Sequence, residues 1–380
     1  MKKILRLFLY FLLFVQKPVQ AQTQLTMVHN GITRNYTLYV PPSFSPGNSW
    51  PLVFVLHGFT QTAQAIMSYS GFNAIADTAS FIAVYPDGVG NAWNTNSGMS
   101  GGSTADDIGF IGALTDTLFA QYGIDTTRVF SCGFSAGGYM SHRLACESPR
   151  CYAAIASVAG TMSTGAYAAC LPSRPVPVMQ IHGTSDFVVS YNGGFGGVSV
   201  ADVINKWVSS NACPTTPQVT AMPDLVTTDF STVERSVYSP CAGSTEVILY
   251  KVNGGGHQWP GTTALAAGIG TTNRDIDASA EIWNFFRSRS CASTTTSASE
   301  PTELQRFNVQ ADGMGGFIIV CNSNSAENVQ YQRMDIAGRK LSEGAFVGSL
   351  HLNKQSSDSG VQLLRLQHTG GLSTLRVVFP

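Results

Sequence analysis

Gly133-Phe134-Ser135-Ala136-Gly137 sets one serine in a stretch with glycine at both ends and alanine directly after it. Thr127 to Ser131 upstream reads as a short strand, and the residues from Gly137 onward read as the start of a helix. This spacing fits G-x-S-x-G, a sharp strand-to-helix elbow that holds its serine in a strained backbone conformation. The bend lifts the hydroxyl above a sheet and sets it at a helix N-terminus, where backbone N–H groups favour a developing oxyanion. A serine hydroxyl is a weak nucleophile until a base takes its proton, and the base needs an orienting carboxylate. A Gly-rich turn that merely contains a serine is the bland reading, so the partners decide.

For an elbow of this kind the expected chain order is serine, acid, histidine. Asp186 follows the apolar run "VPVMQIHG", and His257 lies in "NGGGHQWPG" after "EVILYKV". Both fall at the carboxyl ends of expected strands, where open α/β sheets place their sites. Ser135, Asp186 and His257 are therefore the expected nucleophile, orienting acid and base. The other candidates fit less well. His182 lies on the strand before the acid and reads as a packed histidine. His57 in "LHGF" reads as structural, and His142 lies two helical turns past the serine, pointing away. Asp87, Asp106 and Asp107 precede the serine, and the last two suit a helix start; Asp275 and Asp277 follow the histidine. Two N–H groups are expected to hold the oxyanion. One is that of Ala136, after the nucleophile; the other is that of Phe59, after the "HG" of the early strand, with Thr60 as the alternative.

The elements that must carry these residues alternate. "NYTLYVPPSF" reads as an edge strand stopped by two prolines. "PLVFVLHGF" is a continuous apolar run, as in a central strand covered on both faces. A helix is expected from about Ala63 to Thr78, a strand in "FIAVYPDG", and a helix in "ADDIGFIGALTDTLFAQYG". After the elbow come strands in "YAAIASVAG" and "VPVMQIHGTSD", a helix in "VADVINKWVSSNA", a strand in "EVILYKV" and an amphipathic helix in "DASAEIWNFFRS". Such alternation means a mostly parallel sheet with helices on both faces.

Composition bounds the rest. The 380 residues carry a net charge of −1 and only 12% charged residues, so no basic field exists for nucleic acid. Lys2, Lys3 and Arg6 precede an apolar stretch from Leu7 to Val15, followed by Val19-Gln20-Ala21, which reads as a signal peptide over residues 1–21. No second apolar segment is long enough to span a membrane. The eight cysteines agree with an oxidising compartment. They include no C-x-x-C pair and no zinc spacing, so no metal and no cofactor is expected. Cys213 and Cys241, flanking one polar excursion, are the best pair, and Cys132 in the elbow strand reads as a free thiol. After residue 290 the character changes. Residues 291–304 form a Ser/Thr-rich linker, and 305–380 show short alternating strands with turns at Ala337-Gly338, Glu343-Gly344 and Gly370-Gly371. That is the pattern of a small β-sandwich.

"LHGFTQ", "YPDG", "DDIGFI", "GFSAGGYMSHRLAC", "RPVPVMQIHGTSD" and "NGGGHQWPG" together resemble the secreted poly(3-hydroxybutyrate) depolymerase-like esterases. That group includes the feruloyl and acetylxylan esterases of carbohydrate esterase family one. The resemblance spans about residues 30–288. It implies an α/β-hydrolase fold over residues 22–290, a triad of Ser135, Asp186 and His257, and a polymeric or polysaccharide-linked ester as partner. Plant cell-wall ester cleavage is the expected activity. Polyester cleavage, a non-catalytic esterase-like binding role and peptide cleavage on the same fold are the alternatives, because fold does not fix function. Trp93 and Trp259 are expected to line a cleft for a sugar or a feruloyl ring, with packing as the competing reading. In the tail, "VQYQRMDIAGRKL", "GSLHLNKQSSDSGVQLLRLQHTGG" and "STLRVVFP" resemble the sorting domain of the type nine secretion system. That resemblance implies a secreted or cell-surface protein with the secretion machinery as partner. The competing reading is a carbohydrate-binding module, for which the tail offers few aromatics and no tryptophan.

Overall fold

The computed structural model describes residues 22–97, 102–194, 196–264 and 269–291, then 307–311, 317–321, 328–335, 340–352, 360–368 and 371–379. The expected signal peptide and most of the expected linker lie outside them. Contacts divide the chain into two compact units, before and after residues 293–294.

The first unit is built on a ten-stranded sheet. Its strands are β1 (Gln22–His29), β2 (Ile32–Tyr39), β3 (Trp50–Leu56), β4 (Ile82–Pro86), β5 (Ile124–Phe134), β6 (Ala154–Val158), β7 (Val178–Gly183), β8 (Gln218–Ala221), β9 (Thr232–Tyr238) and β10 (Val247–Asn253). In space they run β1-β2-β4-β3-β5-β6-β7-β10-β9-β8. The six central strands from β4 to β10 are mutually parallel, and antiparallel strands finish both edges.

Helices α1 (Ala63–Ser70), α2 (Phe72–Ala79), α3 (Asp107–Tyr122), α4 (Ala136–Glu147), α5 (Thr164–Ala169), α6 (Val200–Ser210) and α7 (Ala278–Phe286) complete the unit. Strand β3 shows why both faces must be covered, since every one of its residues is buried. Leu52, Phe54 and Leu56 join a core with Phe110 of α3, Leu144 of α4 and Trp207 of α6. Val53 and Val55 join a second core with Ile66 of α1, Phe72 of α2 and Phe286 of α7. This alternation is the period of two of a strand buried on both sides. The expected α/β-hydrolase architecture is present.

Four details differ from expectation. Strand β2 is not at the edge, because β1 pairs with it along its whole length. The helix expected from Ala63 to Thr78 is two, divided at Gly71, whose φ of +66° ends α1 with a left-handed cap. Strands β8 and β9 occupy the polar excursion between Cys213 and Cys241, and α5 was not anticipated. Those two cysteines are bridged as expected, Cys146 pairs with Cys170 and Cys151 with Cys291, and buried Cys132 is free.

The second unit contains two antiparallel sheets. One is made of β11 (Phe307–Ala311), β12 (Phe317–Cys321) and β15 (Ser349–Leu352). The other is made of β13 (Asn328–Asp335), β14 (Lys340–Val347), β16 (Gly360–His368) and β17 (Gly371–Phe379). Ile319 and Leu352 of the first share one core with Val329, Phe346, Leu364 and Leu366 of the second, so the sheets pack as the small sandwich expected. Glu343-Gly344, expected as a turn, lies inside β14, where Gly344 pairs with Tyr331 and leaves room for its ring. Ala337-Gly338 and Gly370 lie outside the described residues.

Candidate active site

Ser135 stands between the end of β5 and the start of α4 with φ 53° and ψ −118°, a conformation that L-residues avoid. The backbone is held there from both sides. Ser135 N donates to Val158 O at 2.8 Å, and Ser135 O accepts from Gly138 N at 2.8 Å and Tyr139 N at 3.1 Å. The side chain makes no hydrogen bond to cap its own helix, which leaves the partly exposed hydroxyl for other chemistry. The neighbouring glycines are required sterically. A Cβ on Gly133 would lie 2.4 Å from the Gly137 carbonyl carbon, and one on Gly137 would lie 2.1 Å from Leu56 O. The elbow closes tightly only without side chains there.

Asp186 follows β7, and His257 follows β10. Their loops are zipped together, because Thr184 N donates to Val252 O and Ser185 N to Gly255 O, each at 2.9 Å. A Cβ on Gly183 would lie 2.2 Å from Gly255 O, so glycine permits this approach. His257 Nδ1 lies 2.7 Å from Asp186 Oδ2, and both side chains are nearly inaccessible. The other carboxylate oxygen, Oδ1, accepts from Val188 N at 2.9 Å and Val189 N at 2.8 Å. The imidazole packs against the Phe134 ring at 4.8 Å between centroids, directly before Ser135 in the chain. The structure thus gathers the three expected residues at the carboxyl ends of β5, β7 and β10.

The second expected oxyanion donor sits in a tight turn after β3. Gly58 N donates to Gln61 Oε1 at 3.0 Å and Gln61 N to Gly58 O at 3.1 Å. Thr60, at φ 64°, spends its amide on Asn91 O at 2.9 Å, so it is not available. Phe59 N has no hydrogen-bond partner among the described residues, nor has Ala136 N at the first position of α4. A Cβ on Gly58 would lie 3.2 Å from Phe134 Cδ1, so this turn adjoins the elbow. His57 is structural as expected. Its Nδ1–H donates to Gly58 O at 2.7 Å, Nε2 accepts from Gly88 N at 2.9 Å, and burial pushes its pKa down.

Trp93 and Trp259 are packed rather than exposed, although Trp259 borders a cavity together with Tyr69, Pro260 and Thr262. They are 2% and 1% exposed. Trp93 Nε1 donates to His57 O at 2.9 Å, and Trp259 Nε1 to Ser279 Oγ at 3.0 Å. The Trp93 ring packs on His57 at 4.9 Å between centroids, and that of Trp259 meets Phe72 edge-on at 6.3 Å. Exposed apolar side chains near these residues in sequence include Phe59, at 51%, Phe187, at 72%, and Val188, at 52%. Phe59 is the expected oxyanion donor itself, and Phe187 directly follows Asp186 in sequence, an adjacency that was the overlooked signal. Tyr69 was also missed. Its hydroxyl donates to Gln258 Oε1 at 2.5 Å and accepts from Trp259 N at 3.0 Å, while its ring meets Phe134 edge-on at 5.1 Å. It joins the histidine loop to the elbow, and nothing in the sequence around it announces that role.

A family profile described as Esterase PHB depolymerase matches residues 34–227, more than half of the chain. The chain belongs to this esterase family. It is a carboxylic ester hydrolase by that membership. The match contains Ser135 and Asp186 and stops before His257. Its relatives include a protein of Nocardia uniformis subsp. tsuyamanensis named as a candidate esterase, NocK, 31% identical over 268 residues and covering 65% of this chain and 77% of that one. A bifunctional acetylxylan esterase/xylanase of Neocallimastix patriciarum is 27% identical over 229 residues, covering 60% of this chain. Feruloyl esterase B of Piromyces equi is 28% identical over 239 residues, covering 59%. This esterase spans only 31% and 42% of the length of those last two relatives.

Proposed function

We propose that this esterase is secreted and cleaves feruloyl or acetyl esters on plant cell-wall polysaccharides through Ser135, His257 and Asp186. The observation that carries the reading is His257. Its Nδ1 is 2.7 Å from Asp186 Oδ2 while its ring rests on Phe134, the residue before the strained serine. Asp186 keeps the Nδ1 proton in place, which leaves Nε2 as the acceptor for the serine proton. Ser135 Oγ attacks the ester carbonyl carbon, and the oxyanion is held by the amides of Ala136 and Phe59. The tetrahedral intermediate collapses, the C–O bond breaks, and the alcohol leaves with the proton from His257 Nε2. Water then gives a proton to His257 Nε2 and attacks the acyl-serine; the second tetrahedral intermediate collapses, the C–Oγ bond breaks, His257 returns the proton to Ser135 Oγ, and the acid leaves.

Exposed Phe59, at the expected oxyanion turn, and Phe187, directly after Asp186, offer apolar surface for an aromatic acyl group, which supports a feruloyl ester. Both named relatives with known ester chemistry act on feruloyl or acetylxylan esters by their names. Polyester cleavage is the second reading, favoured by the description of the family itself. Parallel rates on methyl ferulate, acetylated xylan and hydroxybutyrate oligomers test the assignment. The highest kcat/KM is expected on one of the first two, and preference for the oligomers would transfer the reading to polyesters. The C-terminal sandwich is proposed to serve export and surface delivery, on the strength of its resemblance to sorting domains.

A further inference from the structure

Behind the acid lies a line of buried polar side chains that the reaction does not itself consume. Trp207, His142, Gln180 and His182 are each no more than 1% exposed. Trp207 begins the line. Its indole N–H can only donate, and it meets His142 Nδ1 at 3.1 Å. His142 therefore carries its proton on Nε2, 3.2 Å from Gln180 Oε1. That orients the Gln180 amide, whose Nε2 donates to Gly160 O at 2.7 Å and lies 3.2 Å from His182 Nδ1. His182 must then be protonated on Nε2, which donates to Val189 O at 2.8 Å. One donor-only group thus fixes the direction of every bond down to the acid loop.

Both ends of the line are mechanically useful. Gly160 stands against the elbow, since a Cβ there would lie 2.5 Å from Ser135 O. Val189 closes the turn in which its own N–H holds Asp186 Oδ1 at 2.8 Å. Asp186 Oδ2 also lies 3.5 Å from His182 Nε2. A charged His182 would compete for the oxygen that holds His257. Burial pushes the pKa of His182 down, as it does that of His142, and so keeps both rings neutral.

We propose that His182 is a positioning residue for ester cleavage: its Nε2–H pins Val189 O and so fixes the turn that aims Asp186 Oδ2 at His257 Nδ1. The proposal rests on Asp186 acting as the orienting acid. His182→Phe fills the ring volume and removes the donor. Its kcat on a small chromogenic ester is expected to fall at least about tenfold, the scale of a small misplacement of reacting groups, with KM within about twofold. His182→Gln returns an N–H near the position of Nε2 and should recover most of the loss. The low-field proton resonance of the Asp186–His257 hydrogen bond should broaden or move upfield in the first variant and return in the second. If His182→Phe does not fold, His182→Asn serves in its place. Its amide accepts from Gln180 but stops short of Val189 O, so it must show the same loss.

Wild-type kcat with an unchanged resonance in His182→Phe or His182→Asn would overturn the proposal. Asp186→Asn, measured alongside, separates the two layers. If it abolishes turnover while the His182 variants do not, the positioning role alone fails. If it leaves turnover intact, the role of the acid fails first and the positioning role with it.

Discussion

At the scale of single residues, the candidate site holds neutral buried histidines beside the proposed base, His257. His142 illustrates the consequence for stability. Burial lowers its pKa from 6.5 to about 4. The unfolded chain therefore binds a proton that the folded chain refuses when the pH lies between those values. Above pH 6.5 the stability is complete, and it is lost as pH falls toward about 4. At about 1.4 kcal/mol per pH unit, that single group accounts for on the order of 3 kcal/mol. His142→Asn keeps an acceptor for Trp207 but does not titrate. Denaturant unfolding across this window should show a shallower acid slope for the variant, and equal slopes would contradict the account. Such chemistry was only partly legible in the sequence. Ser135, Asp186 and His257 stand out because small residues and strand ends surround them. Trp259 was harder to read, because an aromatic two residues from a histidine looks the same whether it faces a cleft or packs inside. Burial alone distinguishes the two, and burial depends on the whole fold.

At the scale of elements, strand and helix approach each other at backbone distance. Gly137 lets α4 pass against the end of β3, and its missing side chain matters more than its flexibility. Gly137→Ala would press a methyl group into Leu56 O, at 2.1 Å for an unshifted backbone. Relief requires moving α4, so the variant should lose about 1–3 kcal/mol or more in denaturant unfolding, as overpacked cores do. It should also lose activity, because Ala136 and Ser135 move with the helix. Full activity with unchanged stability would show that the elbow has slack. The apolar strands β3 and β7 were readable because burial on both faces leaves only one kind of sequence, whereas β5 extends past the expected Thr127–Ser131 through a polar, partly exposed start. Strand β8 was not, since all four of its residues are exposed and carry no buried face to set a period. The split between α1 and α2 hangs on one left-handed glycine inside an otherwise continuous helical pattern.

At the scale of the whole molecule, chemistry and the sandwich are separable in sequence. All three proposed catalytic residues lie before residue 291, and the disulfide from Cys151 to Cys291 ties the end of the first unit back to the segment after α4. A chain of residues 22–292 should therefore keep its core and its turnover of small soluble esters. In the native host it should fail to reach the outside. A fusion of the tail to a reporter should not bind insoluble xylan or cellulose; strong binding there would make the sandwich a substrate-targeting module instead. The claim on which the rest depends is that Ser135 is the nucleophile of ester cleavage. The direct measurement is kcat of Ser135→Ala on a chromogenic ester, with folding verified by an unchanged unfolding curve. A fall of roughly 10⁴-fold or more is predicted, since a nucleophile acts as a unit with its base. Turnover near that of the wild type in a folded variant would contradict it.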